Sequence, residues 1–82
     1  MAMTGKVSSP ESLGLMLQQA RLAAGLSQQE LAGQLGISQA YVSEMESGKN
    51  SRALLRVFAF MRATGMSLQA TIGEPGEGSA DA

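Results

Sequence analysis

The sequence predicts an all-α domain of four helices that ends in a single β-strand. Four segments place apolar residues every three or four positions, which is the spacing of one helix face. Each segment begins near a serine that can cap a helix, and a glycine follows close to its end. Only residues 66–72 alternate apolar and polar side chains, the period of a half-buried strand. A domain of this size has a small core, so oligomerisation is an expected source of further burial.

The two ends of the chain show no helical periodicity. Residues 1–8, MAMTGKVS, have no repeating apolar spacing, so we predict a disordered N-terminus. Residues 73–82 are rich in glycine and acid and hold no large apolar side chain, so we predict a flexible acidic tail. A single folded domain then spans residues 9–72.

The first helix is predicted to begin at Pro10. Ser9 supplies a capping hydroxyl, and proline is favoured at the first helical position. The helix runs to about Ala24, and Gly25 ends it. Its inward face consists of four apolar residues at helical spacing: Leu13, Leu17, Ala20 and Ala24.

Residues 27–47 are predicted to form two short helices joined by a tight turn. Ser27 caps the first of them, with Glu30 closing a capping box, and Gly36 supplies a left-handed turn. The small Ala32 lets the second helix cross close to the first. The apolar positions that pack this corner are Leu31, Leu35, Ile37, Val42 and Met45.

This spacing is that of a helix-turn-helix, whose second helix can lie in the major groove of DNA. An ordinary packed corner between two helices is the alternative. The exposed positions of the second helix are short polar side chains rather than the Lys/Glu mixture of a solvated face. This composition favours DNA recognition.

A fourth helix, capped by Asn50 or Ser51, runs to about Ala63 and carries two apolar stripes. The first stripe consists of Leu54, Phe58 and Met61. The second consists of Ala53, Val57 and Phe60. A four-helix domain this small covers only one of them, so the other is expected to be a partner surface.

Residues 66–72 form the only predicted strand. A lone strand leaves its backbone N–H and C=O groups unpaired, so it needs a partner from outside the monomer. The same segment of a second copy would give an antiparallel ribbon on a two-fold axis. An irregular cover over the fourth helix is the alternative. The predicted homodimer contacts are Val57, Phe60, Met66, Leu68, Ala70 and Ile72.

Composition argues against several functions. The chain has no cysteine and no histidine, which removes disulfides, thiolate chemistry and the usual zinc ligands. The sequence contains no tight carboxylate pair and no phosphate-binding glycine loop, the patterns that would indicate an enzyme. We therefore expect neither catalysis nor a cofactor. No apolar run approaches the roughly 20 residues that span a membrane. We expect a cytoplasmic protein without membrane contact.

The net charge of −1 is unevenly distributed along the chain. Residues 14–65 hold five basic and three acidic side chains, a net charge of +2. The tail holds three acids and no base. A charge of +2 is modest for a DNA-binding domain, so a dimer is needed to gather enough phosphate contacts.

The segment RLAAGLSQQELAGQLGISQAYVSEMESGK resembles the Cro/repressor (XRE) family of helix-turn-helix proteins. The continuation, NSRALLRVFAFMRATGMSLQATI, is similar to one branch of that family, the HipB-type antitoxins. The resemblance implies a four-helix Cro/repressor-like domain whose C-terminal β-strand pairs across a homodimer. It also implies double-stranded operator DNA and a HipA-type kinase toxin as partners.

The resemblance further implies DNA contacts at the matching positions. Gln28 would meet a phosphate at the start of the second helix. Gln39 can present its amide to adenine, and Ala40 can touch a thymine methyl. Tyr41 and Lys49 would reach phosphates. The predicted DNA-binding residues are Gln28, Ser38, Gln39, Ala40, Tyr41, Ser43 and Lys49.

Three charged residues need a separate interpretation. Arg21 and Glu46 occupy the positions of an ion pair in the resembled family, between the first helix and the end of the third. Two solvated charges are the alternative. Glu44 faces outward and would repel phosphates unless it accepts a hydrogen bond from cytosine.

The sequence therefore predicts a sequence-specific transcriptional repressor. The resemblance makes it the antitoxin of a HipA/HipB-like pair that autoregulates its operon. A stand-alone repressor of the same family is the first alternative. The second alternative is a protein-interaction module that neutralises a partner without binding DNA.

Overall fold

Four helices and a two-stranded sheet make up residues 3–49 and 51–73, the part of the chain that the computed structural model describes. The four predicted helices are present, each within about a residue of its predicted end. In chain order the elements are β1 (Met3–Val7), α1 (Pro10–Ala23), α2 (Gln28–Leu35), α3 (Gln39–Glu46), α4 (Arg52–Thr64) and β2 (Leu68–Ile72).

The N-terminal strand β1 departs from the sequence-based prediction. It pairs antiparallel with β2, in a register that places Met3 opposite Ile72 and Val7 opposite Leu68. The predicted disorder of residues 1–8 is therefore wrong for residues 3–7. Residues 1–2, and residues 74–82 of the predicted tail, lie outside the described residues.

The pairing of the two strands changes the argument about β2. Backbone groups along one edge of β2 are satisfied by β1 of the same chain, so β2 does not need a second copy to exist as a strand. The inference that its partner must come from outside the monomer is wrong. The opposite edge of β2 faces no strand among the described residues.

The main core lies between the sheet, α1 and α4. Its buried centre consists of Val7, Phe58 and Met61, each at most 5% exposed. Half-buried apolar side chains surround that centre: Leu13, Met16, Leu54 and Ala70. Gly5 of β1 lies over the Met16 side chain of α1. A Cβ added at Gly5 would lie 2.5 Å from the Met16 sulfur.

The helix-turn-helix unit, α2 and α3, packs on α1 through α3. Ser27 and Glu30 form the predicted capping box at the start of α2. Gly36 ends α2 in the left-handed conformation, with a φ of 68°. Ala32 is 4% exposed and Val42 is 1% exposed, so the two helices meet through a small residue and a deeply buried one.

Two leucines predicted to be inward are largely uncovered. Leu17 of α1 is 40% exposed and Leu35 of α2 is 56% exposed. The four helices are too short to enclose both sides of α1, and α4 packs on the side that faces the sheet. The apolar contact between α1 and the helix-turn-helix unit is therefore only partly buried.

The two stripes of α4 are sorted as predicted. Phe58 and Met61 are buried, whereas Val57 is 51% exposed and Phe60 is 67% exposed. Along β2, Ile72 is buried and Ala70 is half-buried, while Leu68 remains 42% exposed at the far end. One apolar face of α4 thus has no cover among the described residues.

Replacing Val7 by alanine tests whether β1 is docked. The change removes apolar volume from a site that is 2% exposed, so we expect a loss of about 2–3 kcal/mol in the free energy of unfolding. Thr4→Ala, on the exposed side of the same strand, should change it by less than about 0.5 kcal/mol. Urea unfolding at one protein concentration measures both. Equal, small effects would mean that β1 is not part of the folded core.

Candidate nucleic-acid interface

The outer face of α3 presents polar side chains near the start of the helix. Ser38 caps α3 by accepting a hydrogen bond from the backbone N–H of Tyr41 at 3.1 Å. Gln39, Ala40 and Ser43 are exposed in the turns that follow. The hydroxyl of Ser38 is thus engaged in fixing the helix end. The exposed amide of Gln39 is the group best placed to contact a base edge.

Gln39 is held by a neighbour from α2. Its side-chain Nε2 donates to Oε1 of Gln28 at 3.1 Å. One amide N–H and the amide oxygen of Gln39 remain available. These are the donor and acceptor that would meet N7 and the N6 amino group of an adenine.

Gln28 is fixed in turn by the end of α3. Its Nε2 donates to Oε1 of Glu46 at 3.0 Å. Sequence reasoning placed Gln28 at a phosphate and did not foresee this bond. The first turn of α2 and the last turn of α3 meet at this point, so Gln28 connects the two ends of α3.

Arg21 anchors the other end of this chain of hydrogen bonds. Its Nε and one terminal nitrogen donate to the two oxygens of Glu46 at 2.6 and 3.0 Å, a two-pronged contact. Its other terminal nitrogen donates to the carbonyl of Leu26 at 2.9 Å. The Arg21 and Glu46 side chains are 9% and 5% exposed. They form an ion pair inside the structure rather than two solvated charges.

The ion pair shifts the ionisation of both partners. The hydrogen bond from Arg21 lowers the pKa of Glu46, burial opposes this, and the bond from Gln28 adds to it. The hydrogen bond to Glu46 raises the pKa of Arg21. Both side chains therefore remain charged through the neutral range, and the geometry that they impose on Gln28 persists there.

Gly14 sets the distance between α1 and α3, and sequence reasoning missed it. A Cβ at this position would lie 2.5 Å from the carbonyl oxygen of Glu46 and 2.7 Å from the backbone nitrogen of Gly48. Gly48 itself has a φ of 76° and lies against Glu11. A glycine inside a helix costs stability relative to alanine. Its presence there could have signalled a close backbone contact.

Two basic residues follow α3. Lys49 lies after the helix and Arg52 is the first residue of α4, and both are exposed. Lys49 lies 3.7 Å from Glu44, and both side chains are largely exposed. The negative charge of Glu44 on the outer face is therefore partly neutralised by its neighbour. This weakens the objection that Glu44 would repel phosphates.

Comparison with known proteins decides the family. The family described as helix-turn-helix, the XRE type, matches residues 17–70, well over half of the chain. The chain belongs to this family. Comparison with curated proteins gave no match, and comparison with solved structures gave none either.

Membership of the helix-turn-helix family makes the chain a DNA-binding transcription regulator. The matched range begins within α1 and ends within β2, so it includes the whole corner that positions α3. This is a regulatory domain rather than a typically enzymatic one. Among the described residues, no three acidic, histidine or cysteine side chains cluster as metal ligands. None of the described helices has the length and hydropathy to cross a membrane.

Adding a methyl group at Gly14 should loosen the seat of α3. Because the new Cβ would collide with backbone atoms, Gly14→Ala should lower the free energy of unfolding by about 1–3 kcal/mol. Gly33→Ala is the matched control, since Gly33 is helical and has no atom within 4 Å of an added Cβ. That variant should be stabilised by about 0.5–1 kcal/mol. Thermal and urea unfolding measure both; equal effects would refute the close contact.

The ion pair predicts a pH dependence of stability. Since the folded pKa of Glu46 lies below its ordinary value of 4.5, the pair stabilises the protein fully above that value. The contribution is lost as the pH falls through the lowered folded pKa. Glu46→Gln should be less stable at neutral pH and should lose less stability on acidification than the unaltered protein.

Unfolding free energies measured from neutral pH down to about pH 2 test this expectation against the linkage relation. Ser43→Ala, an exposed change on the same helix, is the control and should follow the unaltered protein throughout. Two curves of the same shape for Glu46→Gln and the unaltered protein would show that the pair makes no such contribution.

Proposed function

We propose that the protein is a sequence-specific transcriptional repressor that reads operator DNA through α3. The observation that carries the proposal is the hydrogen-bonded chain from Arg21 through Glu46 and Gln28 to Gln39. It ends in an exposed amide at the start of the recognition helix. Preorganised side chains discriminate bases better than mobile ones because less conformational freedom is lost on binding.

Each remaining surface residue takes a role that its position supports. The methyl group of Ala40 is exposed where a thymine methyl could meet it, and Ser43 lies one turn further along α3. Tyr41 is 54% exposed, and its side chain is long enough for the hydroxyl to reach a phosphate. Lys49 supplies a positive charge at the end of α3. Phosphate contacts of this kind position the helix, and base contacts specify the sequence.

A homodimer is part of the proposal. The outer edge of β2 is free of any described strand, so two copies could pair β2 with β2 on a two-fold axis. The result would be one continuous sheet with β1 at each end. Val57, Phe60, Met66 and Leu68 are exposed apolar residues available to such an interface. Ala70 and Ile72 pack within the monomer and would contribute mainly through their backbone.

The proposed biological role is that of an antitoxin that binds a HipA-type kinase toxin and represses its own operon. It rests on the resemblance of the α4–β2 segment to HipB-type antitoxins, and β2 is present as that resemblance requires. A stand-alone repressor is the alternative. Purifying the protein from its native cells and identifying what accompanies it separates the two. A kinase in stoichiometric amount supports the antitoxin, whereas DNA binding without any protein partner supports the repressor.

Removing the amide of Gln39 tests the base-reading role. Gln39→Ala should cost on the order of 1–3 kcal/mol of binding free energy and relax preference at one base pair in each half-site. The half-sites should lie about one helical turn, roughly 10 base pairs, apart or a multiple of that. Selection of binding sites from random DNA, followed by titration, measures preference and affinity. Gln69→Ala, an exposed amide on β2, is the control.

Lys49→Ala separates phosphate contacts from base contacts. Its loss should weaken all DNA sequences alike and reduce the salt dependence of binding by about one unit of slope. If Gln39→Ala changed neither affinity nor preference, α3 would not read bases through this residue. If no variant altered binding, the interface would lie elsewhere on the domain.

A further inference from the structure

An open groove lies between α1 and the helix-turn-helix unit. It has a volume of about 390 Å³ and an almost wholly apolar lining. The small side chains of Ala20 and Ala24 on α1 leave the space open opposite the leucines of α2. The apolar residues that define this interhelical groove are Leu17, Ala20, Ala24, Leu31, Leu35 and Met45.

A second uncovered apolar surface lies on α4. We call it the outer face of α4, defined by Ala53, Val57 and Phe60, all of which are exposed. Phe60 is 67% exposed, the highest value among the large apolar residues of the described chain. A phenyl ring and a branched side chain exposed to water lack the stabilisation that burial gives, and a partner surface could supply it.

The two surfaces do not meet within one chain. No residue of α4 lines the interhelical groove. Phe58 and Met61 hold α4 against the sheet and α1, which turns Val57 and Phe60 outward. An isolated copy therefore exposes both the interhelical groove and the outer face of α4 to water.

We infer that the interhelical groove receives the outer face of α4 from a second copy of this chain. The inference rests on the proposed homodimer and assigns the place of Phe60 in it. A cavity of about 150 Å³ is enough to hold a benzene ring. A groove of about 390 Å³ has room for the ring of Phe60 together with Val57. On a two-fold axis the exchange is reciprocal, so both grooves and both ridges are covered at once.

Other features favour a second copy as the occupant. The charged groups that border the groove, Arg21 and Glu46, neutralise each other, so an apolar ridge enters without burying an unpaired charge. Residues 73–82 of the same chain hold no large apolar side chain and could not fill it. Every copy carries both the interhelical groove and the outer face of α4, so the two surfaces are present at equal concentration.

The exchange would connect dimerisation to DNA recognition. One wall of the groove is the inner side of α3, where Val42 and Met45 lie, and its end is the Arg21–Glu46 pair that orients Gln28. Filling the groove fixes α3 against α1. A partner copy in the groove would cover the side of α3 on which Met45 remains partly exposed.

Because the chain has no cysteine, single cysteines can report the contact directly. Protein carrying Phe60→Cys is mixed with protein carrying Leu35→Cys under mild oxidation. Both positions are more than half exposed in one copy, so neither change should unfold it. A disulfide forms only where two Cα atoms come within about 7 Å. We expect a mixed disulfide between the two variants, and none when Leu22→Cys, an exposed leucine on α1, replaces Leu35→Cys.

A self-linked product of Phe60→Cys without the mixed product would place α4 against α4 and overturn the inference. Association provides a second measurement. Phe60→Ser and Leu35→Ser should each raise the dimer dissociation constant at least about tenfold in sedimentation equilibrium, as expected for central anchors. Leu15→Ser, which is 59% exposed elsewhere on α1, should leave it unchanged. A constant that is insensitive to Leu35→Ser would assign the groove another occupant, such as a small apolar molecule, and would refute the exchange.

DNA binding distinguishes this inference from the proposed function. If Gln39→Ala abolishes sequence preference while no mixed disulfide forms, the repressor proposal stands and the reciprocal exchange fails. If the mixed disulfide forms but the cross-linked dimer binds no DNA sequence preferentially, the exchange stands and the repressor proposal fails.

Discussion

The two-pronged contact between Arg21 and Glu46 is the interaction on which the candidate site depends. It joins the end of α1 to the end of α3, and Glu46 also accepts from Gln28 at the start of α2. Desolvation offsets much of the attraction in an ion pair this little exposed. Its clearer effect is geometric. Removing Arg21 would leave Glu46 as an unpaired charge beside α3. Removing Glu46 would leave Arg21 unpaired and would also free Gln28, which holds Gln39.

The backbones of α1 and α3 also approach closely at Gly14, in the first half of α1. Gly14 lies under the last turn of α3, where a Cβ would collide with the carbonyl of Glu46. The contact at Gly14 requires the absence of a side chain, and the contact at Arg21 is a charged pair. The two positions are seven residues apart on α1, nearly two helical turns. Both contacts meet α3 at Glu46, so they fix the C-terminal end of α3 against α1. The eight residues of α3 are too few to be stable as an isolated helix and depend on such tertiary contacts.

The elements that the sequence predicts correctly are those governed by local chemistry. Ser27 and Gly36 bound α2 through contacts within a few residues, and the stripes of α4 follow from helical spacing alone. The strand β1 was missed because its sequence, MTGKV, holds only two large apolar residues, four positions apart, and its partner lies more than sixty positions away along the chain. The bond between Gln28 and Glu46 was missed for the same reason. Both depend on a tertiary packing arrangement that no local pattern encodes.

Small size connects the remaining features. A domain with only six buried apolar residues among those described cannot cover every amphipathic face, and the uncovered ones here are the interhelical groove and the outer face of α4. The electrostatics lead to the same requirement, because a net charge of +2 over residues 14–65 gathers few phosphate contacts per copy. A second copy doubles the charge presented to DNA. It also supplies the apolar surface that the first copy lacks. Affinity for DNA and completion of the core are therefore expected to depend on the same association.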